Sequence, residues 1–96
     1  ALSNKGALFM EMGRLEEAED LFMRALDTDP DYPWALYNLG CLYAMHGDIP
    51  RALQHLESSF AGDPTLVEEA VADEYLKELR RDGRLRDLLD RYGSKD

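Results

Sequence analysis

The sequence predicts an all-α fold, a stack of antiparallel helical hairpins with about six helices. The first observation is a run of apolar residues between Trp34 and Asp48 whose spacing is helical rather than alternating. The second is Gly40 within that run, because a mid-helix glycine costs about 1 kcal/mol relative to alanine and is normally kept where another helix approaches closely. The third is an internal repeat, since a shift of 34 residues places Gly6 on Gly40.

The internal repeat pairs residues of like size and aligns the residues that break helices. The matching pairs are Leu2 with Leu36, Leu8 with Leu42, Phe9 with Tyr43, Gly13 with Gly47, Leu15 with Ile49, Ala18 with Ala52, Phe22 with Leu56, Leu26 with Phe60, and Asp29-Pro30 with Asp63-Pro64. Chance composition would rarely produce this agreement over a whole repeat length, so the fold prediction rests on it.

In the first hairpin we expect one helix from the start of the chain to about Met12 and a second from Leu15 to about Thr28. Gly13 supplies the turn between them. Asp29 precedes a proline, and this disfavours helical backbone at Asp29 and ends the second helix.

The second hairpin follows the same plan. We expect Asp31 to cap its first helix, with Pro33 tolerated in the first turn, and Asp48 to cap its second helix, with Pro50 in the first turn. This helix ends at Asp63, which again precedes a proline.

The last third of the chain departs from the strict repeat. Thr65 followed by Glu68 predicts a capping box that opens a helix reaching about Arg81. A shift of 36 residues places Gly83 on the turn glycine of the second hairpin, and a short second helix then runs from Leu85 to Tyr92. Terminal units of stacked repeats are usually atypical because one face meets water, so we interpret this unit as a cap.

We therefore expect a single domain over residues 1–96. Its parts are repeat one, 1–32; repeat two, 33–64; a degenerate third or capping hairpin, 65–92; and a short tail, 93–96. A domain of this size buries a modest core, so we expect no large cofactor cavity and no cofactor.

Composition and charge narrow the class of partner. The net charge of -9 argues against nucleic acid, because phosphate binding requires clustered Lys and Arg, and it favours basic protein partners. No apolar run approaches the roughly 20 residues of a membrane span, so we expect no membrane insertion. A lone cysteine, Cys41, fits a reducing compartment, and we expect a cytoplasmic protein or, alternatively, a soluble domain of a larger or membrane-associated one. Because the chain does not begin with Met, we expect an excised or processed piece.

The residues that could support catalysis or metal binding are too scattered to predict an active site. Cys41 and His46 lie five residues apart on one helix, and His55 occupies a position that suits a partly buried packing residue. A zinc site needs about four ligands, so we expect neither a metal site nor an enzyme. The four methionines, Met10, Met12, Met23 and Met45, are expected to fill the core first.

The two good repeats resemble the tetratricopeptide repeat family, whose pattern is W-x2-L-G-x2-Y on the first helix, then Ala and Phe on the second, then Pro. The second copy has Leu39-Gly40, Tyr43, Ala52 and Pro64, with Leu56 for the Phe and Leu36 at the Trp position. The first copy has Gly6, Phe9, Ala18, Phe22 and Pro30, with Leu2 at the Trp position. The resemblance implies a right-handed superhelical stack of hairpins, an α-solenoid.

The resemblance also implies a binding site, because the first helix of each pair lines the concave groove in this family. By register, the groove residues are Ser3, Asn4, Ala7, Met10 and Glu11 in the first copy, Trp34, Tyr37, Asn38, Cys41 and Met45 in the second, and Asp73, Lys77 and Arg80 in the cap. Trp34 and Tyr37 have the amphipathic rings that are enriched in binding hot spots. The alternative for Trp34 is packing against the neighbouring hairpin.

Two hypotheses for function follow. The first is a noncatalytic protein-protein interaction module that holds an apolar segment with basic residues in the concave groove. The second is an assembly element that stacks through its exposed end hairpin on further repeats or on another copy of itself. The sequence offers no constellation that supports an enzyme.

Overall fold

The computed structural model describes the backbone of residues 2–93 and the side chains of residues 6–93. Over that range the chain forms six α-helices and two short 3-10 turns, with no strand, which confirms the all-α prediction. The helices are α1 (Leu2–Glu11), α2 (Leu15–Thr28), α3 (Pro33–Met45), α4 (Ile49–Gly62), α5 (Leu66–Ala72) and α6 (Gly83–Gly93), and the 3-10 turns are Glu74–Leu76 and Leu79–Arg81.

The first two hairpins have the same backbone, 34 residues apart. Gly13 and Gly47 both adopt a positive φ, 79° and 80°, which glycine tolerates without a steric penalty. After each glycine the chain is tied back in the same way: the N–H of Arg14 donates to the carbonyl of Phe9 at 2.8 Å, and the equivalent bond in the second hairpin is 2.9 Å long. The predicted repeat is therefore confirmed at the level of hydrogen bonds.

Within each hairpin the two helices cross where the sequence has a glycine. A Cβ at Gly40 would lie 2.7 Å from Cγ of Leu56 and 3.2 Å from the carbonyl oxygen of Ala52, both on α4. A Cβ at Gly6 would lie 2.8 Å from Cζ of Phe22 on α2. The side chain of the partner helix fills the space that each glycine leaves, as the sequence predicted.

The helix caps agree with the sequence in part. Asp48 caps α4 as predicted, accepting a hydrogen bond from the N–H of Arg51 at 3.3 Å. The prediction that Asp31 caps α3 is wrong, because Tyr32 is the capping residue and makes no side-chain cap bond. The N–H of Asp31 instead donates to the side chain of Asp29 at 3.3 Å, in an Asx turn that leads into α3.

The prediction of one helix from Thr65 to Arg81 is wrong. The helix α5 ends at Ala72, where Asp73 turns extended with φ -76° and ψ 125°, and the chain continues in the two 3-10 turns. The side chain of Asp73 accepts the N–H of Tyr75 at 2.9 Å, which starts the first 3-10 turn. Polar contacts at the end of α5 thus redirect the chain.

The predicted capping box at Thr65 is wrong as well. Thr65 has helical backbone angles and makes no side-chain cap bond, and both its N–H and its hydroxyl donate to Asp63, at 3.1 Å and 2.6 Å. Gly83 begins α6 instead of forming a third positive-φ turn, because Asp82 accepts the N–H of Arg84 at 2.8 Å and opens the helix.

The core runs through α2, α3 and α4 and continues into the third unit. Fully buried side chains include Phe22, Leu42, Leu56 and Phe60, followed by Leu76 and Leu85. Among the methionines only Met10 is buried, so the expectation that all four fill the core is wrong for Met12, Met23 and Met45, whose side chains are exposed on α1, α2 and α3.

The helix crossing at Gly40 generates a prediction about stability. Gly40→Ala should lower the free energy of unfolding by about 1 to 3 kcal/mol, because the new methyl group meets Leu56 and the backbone of Ala52. This loss opposes the gain of about 1 kcal/mol that alanine normally brings in a helix. Urea unfolding followed by circular dichroism measures the change.

The matched control is Gly83→Ala, since a Cβ there has no described heavy atom within 4 Å. Its stability should equal or slightly exceed that of the wild type. An equal effect of the two substitutions would contradict a close crossing at Gly40.

A candidate protein-binding site

The structure separates the predicted groove residues into buried and accessible ones. Met10, Tyr37 and Cys41 are buried, the last two with 1% exposure, so a ligand does not reach them in this structure. The accessible ones are Glu11, Trp34, Met45 and Lys77. Ala7, Asn38, Asp73 and Arg80 are half-buried, and the side chains of Ser3 and Asn4 lie outside the described part of the chain.

Tyr37 and Cys41 are buried because the third unit docks on α3 through Asp73. The hydroxyl of Tyr37 donates to Oδ2 of Asp73 at 2.6 Å. The thiol of Cys41 lies 3.9 Å from the same oxygen. One carboxylate thus joins the start of the first 3-10 turn to two successive turns of α3.

Arg80 also has a structural role. Its Nη1 donates to the carbonyl oxygens of Ala70 at 2.9 Å and Asp73 at 2.6 Å. These carbonyls belong to the end of α5, where backbone acceptors lose their helical partners. The guanidinium group therefore stabilises the irregular segment between α5 and α6, which leaves it poorly placed to meet a ligand.

Burial controls the ionisation of this cluster. Burial, the neighbouring Cys41 and the hydrogen bond to Asp73 raise the pKa of the Tyr37 hydroxyl far above its usual range. Burial and the nearby Asp73 carboxylate likewise raise the pKa of the Cys41 thiol well above its usual range. A thiol that stays protonated is a poor nucleophile, so the arrangement gives Cys41 a packing role.

Trp34 lies at the edge of this cluster. Its ring meets that of Tyr37 edge to face, with centroids 5.8 Å apart and planes at 78°. The side chain is nevertheless 41% exposed, so one edge packs on α3 and the remainder faces solvent.

An open pocket of about 520 Å³ lies beside α3, near the accessible Met45. Its apolar lining comes from the end of α3, the start of α4 and the 3-10 segment, and carboxylates complete its rim. The lining residues are Ala44, Met45, Ile49, Glu74, Tyr75, Glu78, Leu79 and Asp82.

The register did not predict the residues that the 3-10 segment contributes to this pocket. In a continuous helix Glu74, Glu78 and Asp82 would form a solvent-facing stripe at four-residue spacing, which is common on helix surfaces. Tyr75 and Leu79 would lie on the core side. The signal that could have found the pocket is this alternation of acidic and apolar residues directly after the helix break at Asp73.

The pocket rim is negatively charged. Glu78 faces Arg81 at 3.8 Å. Both side chains are about 80% exposed, so solvent strongly screens the attraction between them. Asp82 pairs with Arg84 at 3.0 Å, and hydrogen bonds from Arg84 lower the pKa of Asp82. Glu74 has no ion pair among the side chains described.

Two further groups add to the negative electrostatic field around the pocket. Burial and the negative charges of Glu11 and Asp73 raise the pKa of Tyr75, which lines the pocket. The end of α3, at Met45, adds the partial negative charge of a helix C-terminus. A positively charged group is therefore favoured at this rim.

The histidines are not arranged for metal binding. His46 is exposed at the end of α3, while His55 is half-buried with its ring 5.1 Å from that of Tyr43. Within residues 2–93 the side chains described include no group of three or more His, Cys, Asp or Glu that could hold a metal ion.

A family profile described as Tetratricopeptide repeat matches residues 1–64, two thirds of the chain and both regular hairpins. The chain belongs to the tetratricopeptide repeat family. It is also 32% identical over 67 residues to the BBSome complex member BBS4 of Bos taurus, a match that covers 70% of this chain and 13% of that protein. No solved structure matches the chain.

Membership of the tetratricopeptide repeat family implies a protein-protein interaction module with protein partners. Repeats of this family are typically noncatalytic. None of the described helices is long and apolar enough to cross a membrane.

In this tetratricopeptide repeat chain, Tyr37→Phe should lower the free energy of unfolding by about 1 to 3 kcal/mol, because Oδ2 of Asp73 loses its hydroxyl donor. Urea unfolding measures the loss, and faster trypsin cleavage at Lys77 reports loosening of the 3-10 segment. Tyr75→Phe is the control, since the Tyr75 hydroxyl has no hydrogen bond among the described residues. Equal stability of the two variants would contradict the role of Asp73 in holding the third unit on α3.

The raised pKa of Cys41 predicts a loss of stability at alkaline pH. The folded state favours the protonated thiol, so its contribution is fully present below the unfolded pKa of about 8.5 and falls as the pH rises further. The slope should approach about 1.4 kcal/mol per pH unit, and the hydroxyl of Tyr37 adds to it above about pH 10.

Measuring the free energy of unfolding from neutral pH to about pH 10 tests this expectation. Cys41→Ala should flatten the curve above about pH 8.5, even if it lowers stability at every pH. Parallel curves for the wild type and the variant would contradict a raised pKa of the Cys41 thiol in the folded state.

Proposed function

We propose that the chain is a noncatalytic interaction module that binds a protein segment carrying a large apolar residue next to Lys or Arg. The observation that supports this proposal is the pocket beside Met45, where an apolar lining meets three carboxylates. The proposed binding surface is therefore centred on the C-terminal end of α3 and on the 3-10 segment, whereas the repeat register centres it on the first helix of each hairpin.

The apolar anchor of the partner enters against Met45, Ile49 and Leu79. Met45 is 40% exposed and lines the pocket, so a partner side chain can reach it. Methionine is unbranched and flexible, so it adapts to partner side chains of different shape. A pocket of about 520 Å³ has room for one or two large side chains.

The charge of the partner follows from the rim. Glu74, Glu78 and Asp82 present carboxylates, and the net charge of -9 extends the negative field over the whole chain. Such a field accelerates association with a basic segment and selects against acidic ones.

The accessible groove residues extend the contact along α3. Trp34 at the start of that helix and Asn38 one turn later supply a second anchor and a polar contact, and Ala7 and Lys77 remain predicted groove residues of α1 and the third unit. Ser3 and Asn4 remain predicted groove residues of α1.

The similarity to a member of the BBSome complex supports a setting in a multiprotein assembly. The module would then recognise one subunit or client segment of such an assembly. We place it in the cytoplasm, where the reduced Cys41 is stable.

A displayed library of random peptides tests the proposal without a known partner. Selected peptides should combine a large apolar residue with Lys or Arg. Met45→Glu should weaken their binding about 10-fold or more, mainly through faster dissociation, because it places a charge in the apolar contact. Met23→Glu, at an exposed methionine of α2 outside the pocket, should leave binding unchanged.

The charged rim is tested separately. Glu74→Lys should slow the association of the same peptides and reduce its dependence on salt, while Glu68→Lys, an exposed substitution on α5, has a smaller effect. Selected peptides that lack basic residues, or that bind the Met45→Glu variant normally, would overturn the proposed site.

A further inference from the structure

Three arginine side chains of this chain lie over the aromatic ring of a nearby residue. In each pair the guanidinium carbon is within about 6 Å of the ring centroid, close enough for a cation–π attraction. The pairs are Arg14 over Phe9 at 4.7 Å, Arg51 over Tyr43 at 5.1 Å and Arg91 over Tyr92 at 5.8 Å.

Each of these arginines also meets a carboxylate. The ion pairs are Arg14 with Glu17 at 2.6 Å, Arg51 with Asp48 at 3.4 Å and Arg91 with Glu57 at 2.9 Å. A guanidinium group makes both contacts at once, because its flat face stacks on a ring while the N–H groups at its edge donate to a carboxylate. We call a ring, a guanidinium group and a carboxylate in contact an aromatic–Arg–acid set.

The pocket beside α3 contains the ring and the carboxylates of such a set without the arginine. Tyr75 lines the pocket and is half-buried, and among the described residues no cation lies over its ring. Both carboxylate oxygens of Asp82 already accept from Arg84, at 3.1 Å and 3.0 Å. Glu74, next to Tyr75 on the 3-10 turn, has no ion pair among the described side chains.

We propose that the partner completes this set with an arginine, so that Tyr75 and Glu74 make the pocket selective for arginine over lysine. This inference rests on the proposed function, because it specifies the basic residue of the segment that the pocket binds. The guanidinium group stacks on the Tyr75 ring and donates to the Glu74 carboxylate.

The chemistry of the two cations explains the selectivity. Lysine ends in a compact and strongly hydrated ammonium group, whereas the guanidinium group is planar and more weakly hydrated. The ring of Tyr75 is half-buried beside Met45 and Leu79, so a cation that covers it loses part of its hydration. Partial loss of water strengthens a cation–π contact and costs arginine less than lysine.

Three pools of synthetic peptides test the proposal. The pools share the same variable apolar positions and the same Gly and Ser positions, and differ only in the basic position, which is arginine, lysine or citrulline. Citrulline keeps the shape of arginine and removes its charge. Binding to the full chain, measured by biolayer interferometry, should be about 5-fold or more tighter for the arginine pool than for the lysine pool, and weakest for the citrulline pool.

Two substitutions assign the selectivity to Tyr75. Tyr75→Leu keeps an apolar side chain and removes the ring, so it should weaken binding of the arginine pool to about the level of the lysine pool. Tyr75→Phe is the matched control, because it keeps the ring and should preserve the preference. In the wild-type chain, nuclear Overhauser contacts between the Tyr75 ring and the arginine Cδ protons give a second readout that needs no variant.

The outcomes separate this inference from the proposed function. Equal binding of the arginine and lysine pools, with both weakened by Met45→Glu, would overturn the selectivity and leave the proposed function standing. A preference that persists in folded Tyr75→Leu, or a bound arginine that makes no contact with the Tyr75 ring, would overturn the role of Tyr75. Absence of binding by all three pools would overturn both proposals.

Discussion

The close approach of paired helices at Gly6 and Gly40 is the constraint on which the rest of the structure depends. Each glycine admits a side chain of the partner helix, Phe22 in the first hairpin and Leu56 in the second, and so fixes both the separation and the rotation of the pair. With the rotation fixed, the opposite side of α3 packs on α2 of the preceding hairpin. The stacking of the two regular hairpins thus follows from this geometry.

The sequence predicted the two regular hairpins well because local signals specify them. The bounds of α2, Leu15–Thr28, agree with the prediction at both ends, since a positive-φ glycine precedes the helix and an aspartate before proline follows it. Local signals of this kind do not specify the third unit. Its break after Ala72 depends on the contact of Asp73 with Tyr37, which is distant in the sequence, and on the contacts of Arg80 with two carbonyls of the same unit.

In the candidate site, too, the sequence predicts some features, while others depend on how separate segments pack together. Repeat register places Tyr37 and Cys41 on one side of α3, but it does not show what lies against that side. Both residues are buried because the third unit packs there, so the surface available to a partner shifts towards Met45 and the acidic 3-10 segment. The register therefore predicts which direction a side chain faces, while the irregular segment decides whether solvent reaches it.

The docking of the third unit through one carboxylate has a consequence for how the chain opens. The two hairpins are held by apolar side chains along whole helices, whereas residues 73–81 are held by Asp73, Arg80 and the buried Leu76 and Leu79. Short 3-10 turns have poorer hydrogen-bond geometry than α-helices. This segment is therefore the natural unit of sub-global unfolding, and amide hydrogens there would exchange with solvent through openings that leave α1 to α4 folded. A partner that binds the 3-10 segment would suppress those openings and so stabilise the end of the stack.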